Sequence, residues 1–210
     1  MSQHVVTLSI QQISASYGAR IVLQAISLDL EPREILVVSG ANGSGKSTFL
    51  RLLCGLQQPA SGTITYMWNQ QQYSPREAMH LIGWVSPDLA LYRELSAHEN
   101  VRFFAAVRGI SLTEAEIDAL LERVGLHGRG HDRVACYSSG MVQRLRYAYA
   151  LLHNPAVLLL DEPTVTLDER GMETVETIVN AQRERGITVI ATNDPRELRF
   201  ADYLLTLDTA

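Results

Sequence analysis

Lysine is almost absent from this sequence of 210 residues: 17 of its 18 basic residues are arginine, and the exception is Lys46. Arginine carries a planar fork of donors, whereas lysine carries a compact ammonium on a flexible stem. A chain that uses arginine at every other basic position therefore has one place where a point charge is required. We expect that place to be a functional site.

Cysteine is scarce as well, since only Cys54 and Cys136 occur, with no CxxC or Cys/His spacing typical of a metal site. Both lie in segments that read as buried or helical, and we expect reduced thiols. No apolar run approaches the ~20 residues that a membrane helix needs. The first residues alternate in polarity like a strand and do not resemble a secretion signal, which predicts a cytoplasmic chain. The net charge of −5 argues against a nucleic-acid partner.

Short apolar runs rich in β-branched residues predict a parallel sheet whose strands are buried on both faces. The length suits one domain of α/β class. Two alternating segments, "VTLSI" and "ISLDL", predict an additional small antiparallel layer near the start. The predicted buried strands lie at 34–40, 81–86, 156–162, 187–194 and 203–208.

The middle third of the chain predicts helices instead of strands. Thr113 and Glu116 form a capping box before a helix with apolar residues at i, i+3, i+4 and i+7. We therefore predict a core lobe formed by about 1–87 and 153–210, interrupted by a helical subdomain at about 88–152.

The segment "SGANGSGKST" at 39–48 matches the phosphate-loop pattern GxxxxGK[ST], directly after a predicted strand and before a predicted helix. Its glycines let backbone N–H groups face phosphate oxygens at a helix N-terminus. A Gly-rich turn that matches by chance is the alternative. The pattern predicts that ATP phosphates bind Gly40, Ala41, Asn42, Gly43, Ser44, Gly45, Lys46, Ser47 and Thr48, with Mg²⁺ on Ser47.

Two acids follow the apolar run "VLLLDEPT", at the sheet edge where ligands bind in open α/β folds. We assign Asp161 to Mg²⁺ and Glu162 to the general base that activates the attacking water. The alternative is a strand that ends in solvated acids. GTP recognition by an Asn-Lys-x-Asp loop is excluded, because the only lysine is Lys46.

A phosphate loop, a helical insertion and then "YSSGMVQRL" shortly before "LLLDEPT" resemble the nucleotide-binding domain of ATP-binding-cassette (ABC) proteins. The resemblance covers almost the whole chain and implies a P-loop NTPase fold. It implies that Tyr17 stacks on adenine and that Asp168 lies in the loop that meets a partner domain. It also implies that Ser138 and Gly140 close over the γ-phosphate held by a second copy or a homologous cassette. The alternative for Ser138 and Ser139 is a plain helix cap and turn, before a helix that starts near Met141.

Three departures from the family pattern stand out. The signature has Tyr137, Ser139 and Met141 where the family usually has Leu, Gly and Gln. The Gln usual after the strand "IGWVS" is replaced by Pro87, with Asp88 as the nearest substitute or merely a solvated loop acid. Asn193 stands in place of the usual His and is assigned to the catalytic group, although its amide can donate a hydrogen bond but cannot exchange a proton.

The resemblance implies the ATP-hydrolysing subunit of a transporter, paired with a separate transmembrane permease and peripheral on the inner face of the cell membrane. Membrane contact would occur only through that partner, at a surface around "LYRELSAHENVRFF". Two alternatives stay open: a soluble ABC ATPase, and a regulatory cassette with weak hydrolysis. The short cassette resembles exporters more than importers and is similar in length to haem exporters of cytochrome c maturation. The sequence does not specify the cargo.

Overall fold

The computed structural model describes residues 5–208, which form two sheets and five α-helices. The strands are β1 (Val6–Tyr17), β2 (Arg20–Leu30), β3 (Ile35–Gly40), β4 (Ser61–Trp68), β5 (Gln71–Tyr73), β6 (Ile82–Val85), β7 (Val157–Asp161), β8 (Ile187–Thr192) and β9 (Tyr203–Leu207). The α-helices are α1 (Lys46–Leu53), α2 (Ala97–Val107), α3 (Glu114–Arg123), α4 (Ser139–Leu151) and α5 (Glu169–Arg183).

The parallel sheet has the strand order β6-β7-β8-β3-β9. All five predicted runs contribute a strand to it, but β9, at the edge of the sheet, is mostly exposed, so the prediction of burial on both faces is wrong for that strand. Every residue of β7 and β8 is buried. Such strands need cover on both faces, which explains their unbroken apolar runs. The predicted fold class, a P-loop NTPase core with an added antiparallel layer, is confirmed.

The antiparallel sheet has the order β2-β1-β4-β5. Burial alternates along the start of β1, as its sequence predicts for a strand with one solvated face. The sequence analysis missed β4 and β5. Bulges interrupt the pairing of β1 with β2 near Gln12 and Ala25, both of which have positive φ.

Alternate residues of β3 divide the core into two layers. Leu36 and Val38 pack with α1 and the antiparallel sheet, whereas Ile35 and Val37 pack with apolar residues of α2 to α5. Helices α2, α3 and α4 lie between β6 and β7, within the segment predicted to be helical. Because α4 shares a core with the sheet, the boundary of a separate helical subdomain stays a prediction. No helix within residues 5–208 is long and apolar enough to cross a membrane.

Local signals set the helix ends. The predicted capping box of Thr113 and Glu116 is present at α3, and a second one, at Ser96, starts α2. The prediction that the signature helix starts near Met141 is wrong by two residues, because Ser138 caps α4 and the helix begins at Ser139. The prediction that Cys136 lies in a buried or helical segment is also wrong. It lies in a short 3-10 turn and is exposed, whereas Cys54 is buried.

Candidate active site

The phosphate loop leaves β3 and enters α1, as the sequence predicts. Gly45 has φ 105°, and a Cβ there would lie 2.6 Å from Cγ1 of Val22. A Cβ on Gly40 would lie 2.5 Å from the carbonyl oxygen of Leu207, but one on Gly43 would meet nothing within 4 Å. The loop is thus packed tightly against the protein at two glycines and open at the third. The loop therefore has free space beside Gly43.

Lys46, the one cationic residue of the segment 39–48, is buried, with 6% of its side chain exposed. Its Nζ donates to the carbonyl oxygens of Gly40, at 2.8 Å, and Ala41, at 3.2 Å. It also lies 3.5 Å from Oε1 of Glu162. A flat guanidinium could not replace these converging contacts around a single nitrogen.

Asp161 ends β7 and is buried, with 4% exposed. Burial raises the pKa of its carboxyl, and the hydroxyl of Ser47 opposes that rise. A charged Asp161 therefore has the Ser47 hydroxyl beside it, and a bound cation would stabilise that charge further. A hydroxyl and a carboxylate are the hard oxygen ligands that Mg²⁺ prefers, so this pair fits the predicted metal site.

Glu162 follows at once and turns the chain away from the sheet. Its φ is 48°, a left-handed conformation that non-glycine residues seldom adopt. Its N–H donates to the carbonyl oxygen of Ala191 at 2.8 Å, which ties this conformation to the end of β8. Its Oε2 accepts from the N–H of Asn193 at 3.4 Å. Strained residues persist only where neighbours hold them, and they cluster at functional sites.

The side chain of Asn193 donates from Nδ2 to Oδ1 of Asn42 at 3.0 Å. Asn42 lies in the phosphate loop, and Asn193 follows β8. The residue that replaces the usual His is therefore placed at the mouth of the phosphate loop. It lies beside Glu162, where an amide donor could reach a terminal phosphate.

A cleft of about 390 Å³ joins the phosphate loop to Asp161 and Glu162, and Asn193 is hydrogen-bonded to two of its lining residues, Asn42 and Glu162. Tyr17 is at its edge with 52% exposed, and its hydroxyl donates to Oε1 of Gln57 at 3.0 Å. Arg20, which the sequence analysis missed, donates to the carbonyl oxygen of Gly43. The register of β1 and β2 pairs Tyr17 with Arg20 across a two-residue turn, so the hairpin could have predicted this position. The cleft is lined by Tyr17, Arg20, Val22, Asn42, Gly43, Gly45, Lys46, Ser47, Thr48, Pro87, Asp161 and Glu162.

Of the predicted site residues, Ser138, Gly140 and Asp168 do not line that cleft, and neither do Gly40, Ala41, Ser44 and Asn193. Ser138 is exposed, and its Oγ accepts from the N–H of Met141 at 3.2 Å. The side chain of Asp168 caps α5 by accepting from the N–H of Gly171. The structure thus brings the phosphate loop, the two acids, Tyr17 and Asn193 together, and leaves the signature residues on a separate surface.

A family model described as "ABC transporter" matches residues 23–165. The chain belongs to the ABC transporter family. It is 36% identical over 89% of its length to the linearmycin resistance ATP-binding protein LnrL of Bacillus subtilis, covering 60% of that protein. It is 34% identical over 97% of its length to the Nod factor export ATP-binding protein I of Rhizobium johnstonii, covering 67% of it. A solved structure titled "Structure of ATP binding subunit of ABC transporter" superposes with TM-score 0.81 at 27% identity, over 95% of this chain and 85% of that one.

This ABC chain spans only about three-fifths of the length of two curated relatives that it matches. The relatives do not test the haem-exporter subtype, which stays a prediction.

Two departures from the ABC pattern can now be located. Pro87 lines the phosphate cleft, whereas Asp88 points away from it and forms an ion pair with Arg51 at 3.0 Å. With 72% of its side chain exposed, Asp88 does not occupy the place expected of the missing Gln in this conformation. Tyr137 is buried, and its hydroxyl donates to the carbonyl oxygen of Arg129, so the first signature residue serves packing.

Proposed function

We propose that this ABC chain binds and hydrolyses ATP as the motor subunit of a transporter whose permease is a separate protein. The observation that carries the proposal is the convergence of Lys46, Asp161 and Glu162 on one phosphate loop. A buried ammonium, a buried metal-binding carboxylate and a second, partly exposed carboxylate are the three groups that phosphoryl transfer from ATP requires.

The phosphates of ATP would lie along the N–H groups of the loop, with the charge of Lys46 near the terminal phosphates. Mg²⁺, bound by Ser47 and Asp161, would neutralise charge on the phosphate oxygens. Glu162 would accept a proton from the water that attacks the γ-phosphate. Asn193 would donate a hydrogen bond to the same phosphate. Tyr17 would stack on the adenine, a contact that any flat base can make.

A second copy, or a homologous cassette, would complete the site. The hydroxyl oxygen of Ser138 already accepts from the helix backbone, so its own O–H is available to donate to a phosphate. The N-terminus of α4 adds N–H groups and partial positive charge. Gly140 presents no side chain to hinder the approach of a nucleotide. ATP would therefore draw two chains together head to tail, with Asp168 near the contact, and hydrolysis would release them.

The surface for the permease would lie beside the site. A cavity of about 370 Å³ opens between α1, β6 and α4, and Arg51, Trp84, Asp88 and Tyr149 are among its lining residues. Exposed Tyr92 packs edge to face on Phe103 next to it. Aromatic surface of this kind is typical of protein interfaces. Two relatives, one named for Nod factor export and one for linearmycin resistance, support outward transport by such an assembly.

A regulatory cassette with weak hydrolysis is the second candidate, and Asn193 is the observation that favours it. Without an imidazole, the position cannot relay a proton. A soluble ABC ATPase is the third, and no feature of the described residues favours it over a transporter subunit.

Two measurements test the proposal. The first is the rate of ATP hydrolysis by the purified chain with and without Mg²⁺. The second is co-purification of the chain with the membrane protein encoded next to it, from cells that express both. We expect Mg²⁺-dependent turnover that the Glu162→Gln variant lowers at least about 100-fold while still binding ATP. Turnover no higher than that of this variant would leave the regulatory candidate. An active chain with which no membrane protein co-purifies would favour the soluble candidate.

A further inference from the structure

A buried acid, Glu197, lies outside the phosphate cleft, at a second cavity that Thr164 also lines, and takes no part in the mechanism above. It belongs to the 3-10 turn Pro195–Phe200 that follows β8, and it is only 3% exposed. The hydroxyl of Thr164 donates to its Oε1 at 2.5 Å. Its Oε2 is buried without a hydrogen-bond partner among the described residues. A buried acid with one bonded oxygen needs an explanation, because unpaired buried polar atoms are costly.

The position of Glu197 connects the two segments that carry catalytic groups. Thr164 belongs to the turn that Glu162 opens, and Glu197 belongs to the turn that Asn193 and Asp194 open after β8. These segments are also joined by two hydrogen bonds, one from Glu162 N–H to the carbonyl oxygen of Ala191 and one from Asn193 N–H to Oε2 of Glu162. The contact of Thr164 with Glu197 is a third link, formed between two side chains.

Helix α4 reaches the same turn. The hydroxyl of buried Tyr147 donates to the carbonyl oxygen of Pro163 at 3.2 Å. A Cβ on Gly140 would lie 3.1 Å from the carbonyl oxygen of Thr166. The turn after Glu162 is therefore held between α4, which carries the signature residues, and Glu197, which lies beyond Asn193.

We propose that Glu197 is a positioning residue for ATP hydrolysis, whose hydrogen bond with Thr164 holds the Glu162 turn against the Asn193 turn. The inference rests on the proposed ATPase function. The strained φ of Glu162 persists only if its surroundings fix it, and Glu197 supplies a side-chain contact that does so. Small displacements of a catalytic carboxylate are enough to slow catalysis considerably.

The contact of Glu197 with Thr164 is a hydrogen bond, in surroundings that disfavour a charge on the carboxyl. Burial raises the pKa of its carboxyl, the Thr164 and Thr192 hydroxyls oppose that rise, and the negative charges of Asp194 and Glu162 add to it. A second negative charge behind Glu162 would also repel the charge that the base carries.

The experiment compares wild type with Glu197→Ala, Glu197→Gln, Thr164→Val and the double variant Glu197→Ala/Thr164→Val. The control is Glu173→Gln, an exposed glutamate on α5 near the same surface. For each protein, kcat, KM, the Kd for ATP and the thermal midpoint are measured. We expect Glu197→Ala and Thr164→Val each to lower kcat about 10- to 100-fold, with the Kd for ATP changed less than about threefold.

Glu197→Gln should keep kcat within about threefold of wild type, because its amide oxygen can accept from Thr164. The double variant should be no slower than the slower single variant, since both changes remove one contact. Wild-type kcat in both Glu197→Ala and Thr164→Val overturns the inference, and so does a multiplicative loss in the double variant. If Glu197→Ala does not fold, the kcat values of Thr164→Val and Glu197→Gln test the inference in its place. An inactive wild-type chain refutes the proposed function and this inference with it, whereas an active wild type with fully active variants refutes the inference alone.

Discussion

Nζ of Lys46 lies 3.5 Å from Oε1 of Glu162, so the chain's single ammonium meets its candidate general base. In this arrangement the lysine is shared between one carboxylate and the carbonyl oxygens of the phosphate loop. A triphosphate would compete for the same charge, because phosphate oxygens are the stronger partners of an ammonium in this loop. Nucleotide binding would therefore free Glu162 from its cation and leave it able to accept a proton.

Replacing Lys46 by arginine keeps the charge and tests the shape of the site. The guanidinium cannot form the same contacts in a pocket where only 6% of the side chain is exposed. We expect the Lys46→Arg variant to bind ATP at least about 10-fold more weakly, a change of about 1.4 kcal/mol. Isothermal titration with a slowly hydrolysed ATP analogue measures it. Arg170→Lys, on the exposed side of α5, is the matched control, and equal affinities in all three proteins would refute the assignment of Lys46.

Replacing Asn193 by histidine tests what the departure from the family pattern does to turnover. The imidazole would lie beside Glu162 and Asn42 and could exchange a proton as well as donate a hydrogen bond. We expect the Asn193→His variant to have a higher kcat at pH 7.5 than wild type. It should also show a step in kcat near pH ~6.5 that wild type lacks. Asn193→Gln, which adds no titratable group, should show neither change. A histidine variant with the rate and pH profile of wild type would contradict this role.

His153 makes stability depend on pH far from the active site. Burial, with a smaller effect from the charge of Arg108, lowers the pKa of His153 to about 4. In the unfolded chain the value is about 6.5. As the pH falls from ~6.5 to ~4, the unfolded state therefore binds a proton that the native state does not. We expect the free energy of unfolding to fall over this window by at most about 3 kcal/mol on this account.

Urea unfolding of wild type and His153→Gln at several pH values measures this contribution. The difference in pH dependence between the two proteins should be confined to the window between ~4 and ~6.5. His127→Gln, at an exposed position, is the control and should follow wild type. An unchanged pH slope in His153→Gln would show that this histidine is not the source.

The parts of the site that lie close together in sequence could be predicted from it. The phosphate loop follows a buried strand and precedes a helix, and Asp161 and Glu162 end another buried strand, so short patterns were sufficient. Contacts between distant segments could not be predicted. The hydrogen bond between Asn42 and Asn193 joins residues 151 positions apart, and that between Thr164 and Glu197 joins residues 33 apart. Both depend on the parallel strand order, which places β3, β7 and β8 side by side.

For the fold, too, some elements could be predicted from local sequence patterns and others could not. Unbroken apolar runs predicted the strands of the parallel sheet, because strands covered on both faces, such as β7 and β8, are apolar at successive positions. Strand β5 was missed because it lies at the edge of a sheet whose solvated face tolerates polar residues, as in "QQQY" at 70–73, and the neighbouring β4 was missed with it. Cys136 was misplaced because a single 3-10 turn before α4 gives no periodic signal.

The most direct test of the whole account is the structure of the Glu162→Gln variant trapped with ATP and Mg²⁺, determined by cryo-electron microscopy or crystallography. The account predicts a head-to-tail pair in which Oγ of Ser138 lies within hydrogen-bond distance of the γ-phosphate held by the other chain's Lys46. A trapped state in which Ser138 faces solvent, or lies against its own chain away from any nucleotide, would contradict it.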